Sequence, residues 1–189
     1  MALSSSSPSP IGVAIAGLGF GESVHLKALA SQPDLQAVAL WHPRRERLDQ
    51  ACLEHNLPGY DDWEALLSDP RVQAVIIATP PEPRFALALQ ALKAGKHLLL
   101  EKPVALKAEL VAELQRVAIQ NRLSVAVDYE YRAVPLFMQA ARMLEAGAVG
   151  TPWLVKLDWL MSSRADASRP WSWYSQRDAG GGVLGALGT

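Results

Sequence analysis

A glycine-rich turn near the amino terminus is the feature that most constrains the fold. Residues 11–21 have the sequence IGVAIAGLGFG, in which an apolar, strand-like run enters a turn and a helix-like segment follows. The first glycine of such a turn permits a tight bend, the second lets backbone approach a pyrophosphate, and the helix offers N–H groups and a positive dipole end. The pattern predicts a dinucleotide phosphate site formed by Gly17, Leu18, Gly19, Phe20 and Gly21.

Composition narrows the possible classes of protein. The 189 residues suffice for one good-sized domain, or for one domain and part of another. With 18 basic and 19 acidic residues and no basic block, neither a nucleic acid nor an anionic membrane is expected as a partner. The single cysteine excludes an intramolecular disulfide, and the four histidines lack metal-ligand spacing, so no metal is expected. Residues 1–10 lack secretory features and are predicted to be a disordered lead-in, and the cytoplasm is the expected compartment.

Strand and helix patterns alternate over residues 11–128. The predicted strands are 13–16, 35–41, 72–78, 97–101 and 123–127, and the predicted helices are 22–30, 44–55, 62–67, 85–94 and 107–121. This alternation predicts an α/β fold with a doubly wound parallel Rossmann sheet. Ligands bind such sheets at the carboxyl ends of the strands, where the glycine turn, Thr79-Pro80-Pro81 and Glu101-Lys102-Pro103 are placed.

The pattern changes beyond residue 128. A helix is predicted over 135–146, a single strand over 153–161, a loop over 164–178 and the beginning of another helix at the end of the sequence. Since one strand cannot form a stable sheet, residues 129–189 are predicted to begin an incomplete α+β domain. Apolar side chains of this segment are then expected to be uncovered, namely Trp153, Leu157, Trp159, Leu160, Trp171 and Trp173.

Taken in order, the motifs resemble those of the Gfo/Idh/MocA family of NAD(P)-dependent oxidoreductases. They are GLGFG, AVIIATPP at 74–81, AGKHLLLEKP at 94–103, VDYEYRAVP at 127–135, GAVGTP at 147–152 and GGGVLGALG at 180–188. The resemblance implies a Rossmann domain of residues 11–128, followed by a domain that carries the substrate face and usually an oligomer interface. It also implies hydride transfer between a nicotinamide cofactor and a hydroxyl or carbonyl carbon of a sugar, polyol or similar small molecule, by a homo-oligomer in the full-length form.

Three departures from the family pattern leave a second hypothesis open. Glu22 stands where the third glycine is usual, Arg84 stands where the family often has histidine, and the sequence ends at Thr189, before the family's candidate acid/base histidine. A carboxylate at position 22 would repel a pyrophosphate unless it points to solvent. The chain is therefore expected to be an oxidoreductase or its N-terminal fragment. The alternative is a non-catalytic dinucleotide-binding module or nicotinamide-sensing regulator.

The end of the second strand bears on the choice between NAD and NADP. An acidic residue there would bind the ribose hydroxyls of NAD, but this chain has Trp41-His42-Pro43-Arg44-Arg45. The guanidinium of Arg44 could pair with a 2′-phosphate in bidentate fashion. NADP is therefore favoured over NAD, with His42 and Arg44 as cofactor-binding residues. In the alternative, both arginines only solvate the next helix.

Two further motifs complete the predicted site. The resemblance places the turn at Thr79 and Pro80 under the nicotinamide end of the dinucleotide. Lys102, at the carboxyl end of a predicted strand, is the predicted catalytic residue, in proton transfer or in polarising a carbonyl. Glu101 would orient Lys102, and both are also counted among the cofactor-binding residues; the alternative is a surface ion pair beside a proline. The resemblance also suggests a cis bond before Pro103.

Overall fold

The computed structural model describes residues 9–160, 166–168 and 170–187. The strands are β1 (Ile11–Ala16), β2 (Leu35–Trp41), β3 (Gly59–Tyr60), β4 (Ala74–Ile77), β5 (His97–Glu101) and β6 (Val125–Asp128). Helix α1 consists of a π-helical turn (Gly21–Leu26) continued by Lys27–Leu29. The other helices are α2 (Arg45–His55), α3 (Trp63–Ser68), α4 (Pro81–Lys93), α5 (Ala108–Asn121), α6 (Pro135–Glu145) and α7 (Val183–Leu187), and short 3₁₀ turns cover Glu130–Ala133, Trp173–Ser175 and Arg177–Ala179.

The six strands form one parallel sheet in the order β3-β2-β1-β4-β5-β6. The chain enters the sheet at its middle, builds outward to β3, and then crosses to β4 and builds outward to β6. This confirms the predicted doubly wound Rossmann sheet. The strand order reverses between β1 and β4, so a ligand crevice is expected above the carboxyl ends of these two strands. In the part of the chain that the structure describes, no helix is long and apolar enough to cross a membrane.

Successive side chains of β1 and β4 enter two separate cores, one on each face of the sheet. Ala14 and Ile77 pack in the core that includes residues of α3, α4 and α5. Ile15 and Ile76 pack in the opposite core, with residues of α1 and α2. Because both faces are covered, these strands require continuous apolar runs, which is why their sequences predict parallel strands so clearly.

Helix α4 and strand β3 differ from the sequence-based expectation. Helix α4 begins at Pro81 and not at residue 85, with Pro80 as its N-cap. Proline is tolerated there because the first N–H groups of a helix have no intrahelical acceptor. Strand β3 was not predicted, because two residues carry no periodicity. A residue without a side chain is needed at Gly59, because a Cβ there would collide with Sγ of Cys52.

The predicted strand at 153–161 is wrong over its described part, and Met161 lies outside the described residues. Residues 152–160 form neither helix nor strand, since none of the described chain supplies a pairing partner for their N–H and C=O groups. The helix predicted over 135–146 is confirmed as α6, and the final one as α7. The described part of the loop at 164–178 contains 3₁₀ turns. Of the predicted lead-in, residues 1–8 lie outside the described residues.

Five of the six apolar side chains that were expected to be uncovered are exposed. Trp153 is 92% exposed, and Leu157, Trp159, Leu160 and Trp171 are exposed as well. Trp173 is only half-exposed, because its ring stacks on Tyr174 with centroids 3.9 Å apart. The expectation is therefore wrong for Trp173, whose ring faces a neighbour.

Candidate functional site

Each glycine of the first turn meets a different steric requirement. Gly17 has a φ of +96°, and a Cβ there would lie 2.8 Å from the backbone of Thr79. At Gly19 a Cβ would meet no atom within 4 Å, so the backbone faces open space. A Cβ at Gly21 would lie 2.8 Å from Cγ2 of Ile15. Gly21 thus supplies the close helix–strand packing that the third glycine of the motif supplies elsewhere.

Glu22 is turned toward helix α2 and does not point to solvent. Its side chain is only 13% exposed. Nε2 of His55 lies 3.0 Å from its Oε1, and Arg47 donates to its Oε2 while also donating to the carbonyl of Leu18 at 3.0 Å. The carboxylate, which was expected to repel a pyrophosphate unless it pointed to solvent, is instead paired within the fold with Arg47 and His55 of α2.

The crevice above β1 and β4 is a cavity of about 440 Å³. Of the eleven residues predicted to bind cofactor, it is lined by Gly17, Leu18, Gly19, Phe20, His42, Arg44, Thr79, Pro80, Glu101 and Lys102. Gly21 does not line it. The cavity is also lined by residues outside that set, namely Trp41, Pro43, Ala78, Pro83, Arg84, Glu130, Trp173 and Tyr174. The tertiary structure thus brings together motifs that are far apart in the sequence.

One end of the cavity, beyond β2, is formed by His42 and Arg44. Nδ1 of His42 lies 3.1 Å from the backbone nitrogen of Arg44 and 3.3 Å from its backbone carbonyl oxygen, so the ring is held against the backbone of Arg44. Burial lowers the pKa of His42; the backbone hydrogen bond to Arg44 opposes this shift, and the charges of Arg44 and Arg47 add to it. Arg45 is directed elsewhere, with ion pairs to Asp49 at 3.0 Å and to Asp61 at 3.2 Å. Of the two arginines that follow the strand, only Arg44 lines the cavity.

The other end, beyond β5, holds Lys102. Its Nζ lies 3.6 Å from Oε1 of Glu130 and 5.8 Å from the ring centroid of Tyr131. The buried carboxylate of Glu101 accepts the backbone N–H of Lys102 at 3.2 Å. The peptide bond between Lys102 and Pro103 is cis, as the resemblance suggests. A cation with a nearby carboxylate therefore stands at the cavity wall, where it can donate a hydrogen bond or a proton to a bound group.

Arg84 was not predicted as a site residue. It is 2% exposed, lies in the first turns of α4, and donates to the backbone carbonyls of Glu101, at 2.6 Å, and of Thr79 and Pro103. Burial lowers its pKa to about 10. The only signal in the sequence was an arginine where the family often has histidine.

The cavity fits the functional groups of a dinucleotide. Among the residues that the structure describes, five buried side-chain polar atoms have no hydrogen-bond partner. Four of them belong to residues of the cavity wall, namely Trp41 Nε1, Thr79 Oγ1, Arg84 Nε and Glu130 Oε2. Buried polar atoms are rarely left unpaired, and a ligand with hydroxyl, amide and phosphate groups can pair with both the donors and the acceptors. The open space at Gly19 leaves room for phosphate oxygens against the backbone.

This combination of sheet order, glycine turn and cavity defines a dinucleotide-binding Rossmann domain, and comparison with known proteins identifies its family. Residues 11–129 match the profile of the GFO_IDH_MocA family, described as "Oxidoreductase family, NAD-binding Rossmann fold". The chain belongs to this family, as its motifs indicated. The expected cofactor class, NAD(P), is confirmed at the level of the family, and the preference for NADP stays a prediction.

Two curated relatives show how much of a family member the chain represents. It is 44% identical over 176 residues to an uncharacterized oxidoreductase of Synechocystis, covering 93% of this chain and 47% of the relative. It is 30% identical over 189 aligned residues to levoglucosan dehydrogenase of Pseudarthrobacter phenanthrenivorans, covering 95% and 48%. The chain thus spans about half the length of these relatives.

Solved structures share the fold. An NAD-binding protein from Listeria innocua superposes with a TM-score of 0.80 at 26% identity, covering 95% of this chain and 52% of the other. A 3-ketoreductase from Actinomadura kijaniata, solved with NADP and TDP-benzene, superposes with a TM-score of 0.71 at 27% identity, covering 75% and 44%. These matches agree with the parallel sheet and its ligand crevice.

Proposed function

We propose that this chain binds NADP(H) and is the cofactor-binding part of an oxidoreductase. The enzyme would interconvert a hydroxyl and a carbonyl group on a sugar, polyol or similar small molecule. The observation that carries the proposal is the cavity itself, in which a phosphate-binding turn lies between Arg44 at one end and Lys102 at the other. The names of two relatives, levoglucosan dehydrogenase and scyllo-inositol 2-dehydrogenase, support this substrate class.

When bound, the nicotinamide cofactor supplies the hydride acceptor or donor. The backbone N–H groups of the first turn bind the pyrophosphate, because the N–H groups at a helix start have no intrahelical acceptor. Arg44 pairs with the 2′-phosphate, and the ring of His42 lines the cavity at the same end. These residues hold the cofactor in place and take no part in proton transfer.

Lys102 acts at the reacting end. Its ammonium donates a hydrogen bond to the substrate oxygen, which polarises a carbonyl during reduction and stabilises the developing negative charge. In the oxidative direction the same nitrogen accepts the hydroxyl proton after losing its own proton. Glu130, 3.6 Å away, orients the ammonium, and the backbone contact from Glu101 holds the residue in place.

The proposal extends to the organisation of the protein. Residues 129–189 begin the substrate domain, the full-length form is a homo-oligomer, and the protein acts in the cytoplasm. No observation on the structure favours the alternative of a binding module without turnover.

A titration of the purified chain with NADPH and with NADH, followed by nicotinamide fluorescence, tests the cofactor part. Saturable binding with NADPH clearly tighter is expected. Tighter binding of NADH would retain the site but contradict the assignment of Arg44. Failure of both cofactors to bind would contradict the proposed function of the chain.

The catalytic part is tested with Lys102→Met and, as the matched control, Lys107→Met, whose side chain is exposed. With sugars or polyols and NADP⁺, Lys102→Met is expected to lose at least about a hundredfold in kcat, as removal of a general acid or base does. Its cofactor affinity should stay within a few-fold of the unsubstituted protein. Turnover that is measurable and equal in the two variants would exclude Lys102 as the catalytic residue.

A further inference from the structure

Arg84 is a buried cation beneath the floor of the cavity. With 2% of its surface exposed, its guanidinium has lost nearly all contact with water, which is unfavourable unless the protein supplies partners. Burial lowers its pKa to about 10, and the nearby carboxylate of Glu101 opposes that effect. The group therefore stays charged at neutral pH, and the fold retains a positive charge at a place where an apolar side chain would be less costly to bury.

The partners of this cation come from two separate turns. One is the carbonyl of Thr79, in the turn after β4, and the others are the carbonyls of Glu101, the last residue of β5, and of Pro103, in the turn that follows. The two turns are more than twenty residues apart in sequence but adjacent in space because β4 and β5 are neighbours. The planar fork of a guanidinium can donate in several fixed directions at once, whereas an ammonium is a single point of donation. One side chain thus sets the separation of the two turns.

These turns lie on one side of the phosphate-binding turn. The sheet order places β2, with Arg44 at its end, on one side of β1, and β4 and β5 on the other. A dinucleotide whose phosphates lie at Gly19 extends one nucleoside to each side. If the 2′-phosphate lies at Arg44, the nicotinamide nucleoside faces Thr79 and Lys102.

Two unpartnered polar atoms connect Arg84 to the ligand space. Nε of Arg84 and Oγ1 of Thr79 are both buried without a hydrogen-bond partner, and both residues line the cavity. The carbonyl of Thr79 is engaged by Arg84, which fixes the backbone from which that hydroxyl projects. The hydrogen bonds that Arg84 donates to the two turns therefore hold the cavity wall in place and not only the interior of the protein.

From these contacts we infer that Arg84 is a positioning residue for the nicotinamide half of the cofactor. It holds the Thr79 turn and the Lys102 turn at the spacing that the nicotinamide nucleoside requires, acting through their backbone carbonyls. It contributes nothing to the adenosine half, which lies beyond β1. The inference rests on the proposed binding of NADP(H).

The test separates the two halves of the cofactor. The affinity for NADPH is measured beside that for 2′-phospho-ADP-ribose, which has the adenosine half and the phosphates but no nicotinamide, by calorimetry for both ligands. Arg84→Met is expected to weaken NADPH binding about tenfold or more, the effect of losing hydrogen bonds to a charged group. The affinity of the same variant for 2′-phospho-ADP-ribose should change less than about twofold, which is a small change in binding free energy. Lys93→Met, exposed on the same helix, should change neither affinity.

A second variant covers a failure to fold. Arg84→Lys keeps the charge but loses the planar guanidinium. It is expected to show an intermediate loss of NADPH affinity and an unchanged affinity for 2′-phospho-ADP-ribose. If Arg84→Met shows no cooperative unfolding transition, and so is not folded, the Arg84→Lys variant is used for the test in its place. Equal weakening of both ligands would overturn the inference, since Arg84 would then only support the fold. Unchanged NADPH binding would overturn it as well. If the unsubstituted chain binds neither ligand, the proposed function is wrong and the inference falls with it.

Discussion

Nε2 of His25 lies 2.9 Å from Oε1 of Glu101, so helix α1, which follows the glycine turn, is joined to the end of strand β5. Both side chains are buried, and Oδ2 of Asp128 lies 3.7 Å from the same nitrogen. The ring of Phe20 packs edge-on against His25, with centroids 5.4 Å apart. Since Glu101 also accepts the N–H of Lys102, the phosphate side and the lysine side of the cavity share one set of contacts.

This contact predicts a specific loss of stability. His25→Leu removes the donor from the buried carboxylate of Glu101 and is expected to lower the free energy of unfolding by about 1.5–3 kcal/mol. His25→Gln, which retains an N–H donor, should lose less. Urea denaturation at pH 7 measures both. Equal stability of the Leu variant and the unsubstituted chain would show that the contact contributes nothing.

Cofactor preference should depend on Arg44. Arg44→Ser is expected to weaken NADPH binding about tenfold to a hundredfold, the usual range for a charge-assisted hydrogen bond, and to leave NADH binding unchanged. Arg45→Ser is the matched control, because Arg45 is paired with Asp49 and Asp61 outside the cavity. Fluorescence titration with each cofactor gives the ratio. A similar effect of the two substitutions would mean that neither guanidinium recognises the 2′-phosphate.

Asp69 should make stability depend on pH below about 4. Its buried carboxylate accepts from Nη2 of Arg71 at 2.7 Å and from the hydroxyl of Tyr60 at 2.8 Å, and the hydrogen bond from Arg71 holds its pKa well below the usual range. Because the pKa is lower in the folded than in the unfolded state, the stabilisation is complete above the unfolded pKa of about 3.9 and is lost as the pH falls further.

Asp69→Asn is therefore expected to lower the free energy of unfolding at pH 7 by about 1–2 kcal/mol, a value reduced because Arg71 is partly exposed. The difference from the unsubstituted chain should shrink when both are measured at pH 3. Asp34→Asn, at an exposed position, serves as the control. A difference that stays constant with pH would exclude the carboxylate as its source.

The exposed apolar segment predicts how the 189-residue polypeptide behaves when it is purified as such. Trp153, Leu154, Val155, Leu157 and Leu160 are each at least 70% exposed, which forms an apolar surface larger than isolated surface residues produce. Self-association or strong binding of a hydrophobic fluorescent probe is expected. Sedimentation and probe titration measure these, and replacement of Trp153 and Leu160 by serine should reduce both. A monodisperse monomer that does not bind the probe would contradict the prediction.

The centre of the sheet was predictable because the strands there are buried on both faces. Residues 74–77 are an apolar run, as are residues 98–100 within the strand predicted at 97–101, and such runs must be covered by helices. The failures have a physical cause too. Strand β3 is too short to show a pattern of apolar and polar residues. The alternating apolar and polar residues at 153–160 could form a strand only beside a neighbouring strand, and none of the described strands pairs with them.

The candidate site was predictable where its geometry is local. The bend at Gly17 requires a residue without a Cβ, and the carboxyl ends of parallel strands necessarily meet at one edge of the sheet. Such requirements depend only on residues that are close together in the chain. The sequence by itself therefore determined the phosphate turn, the parallel sheet and the placement of Lys102 near that turn.

Only the tertiary structure decided how the charged side chains are paired. The sequence could not show that Glu22 meets Arg47 and His55, or that Arg84 reaches two turns at once. A charged residue is compatible with solvent or with a buried partner, and which of these it meets depends on contacts between elements distant in the chain. Those contacts arise from the packing of helices on the sheet, which brings such elements together only in the folded protein.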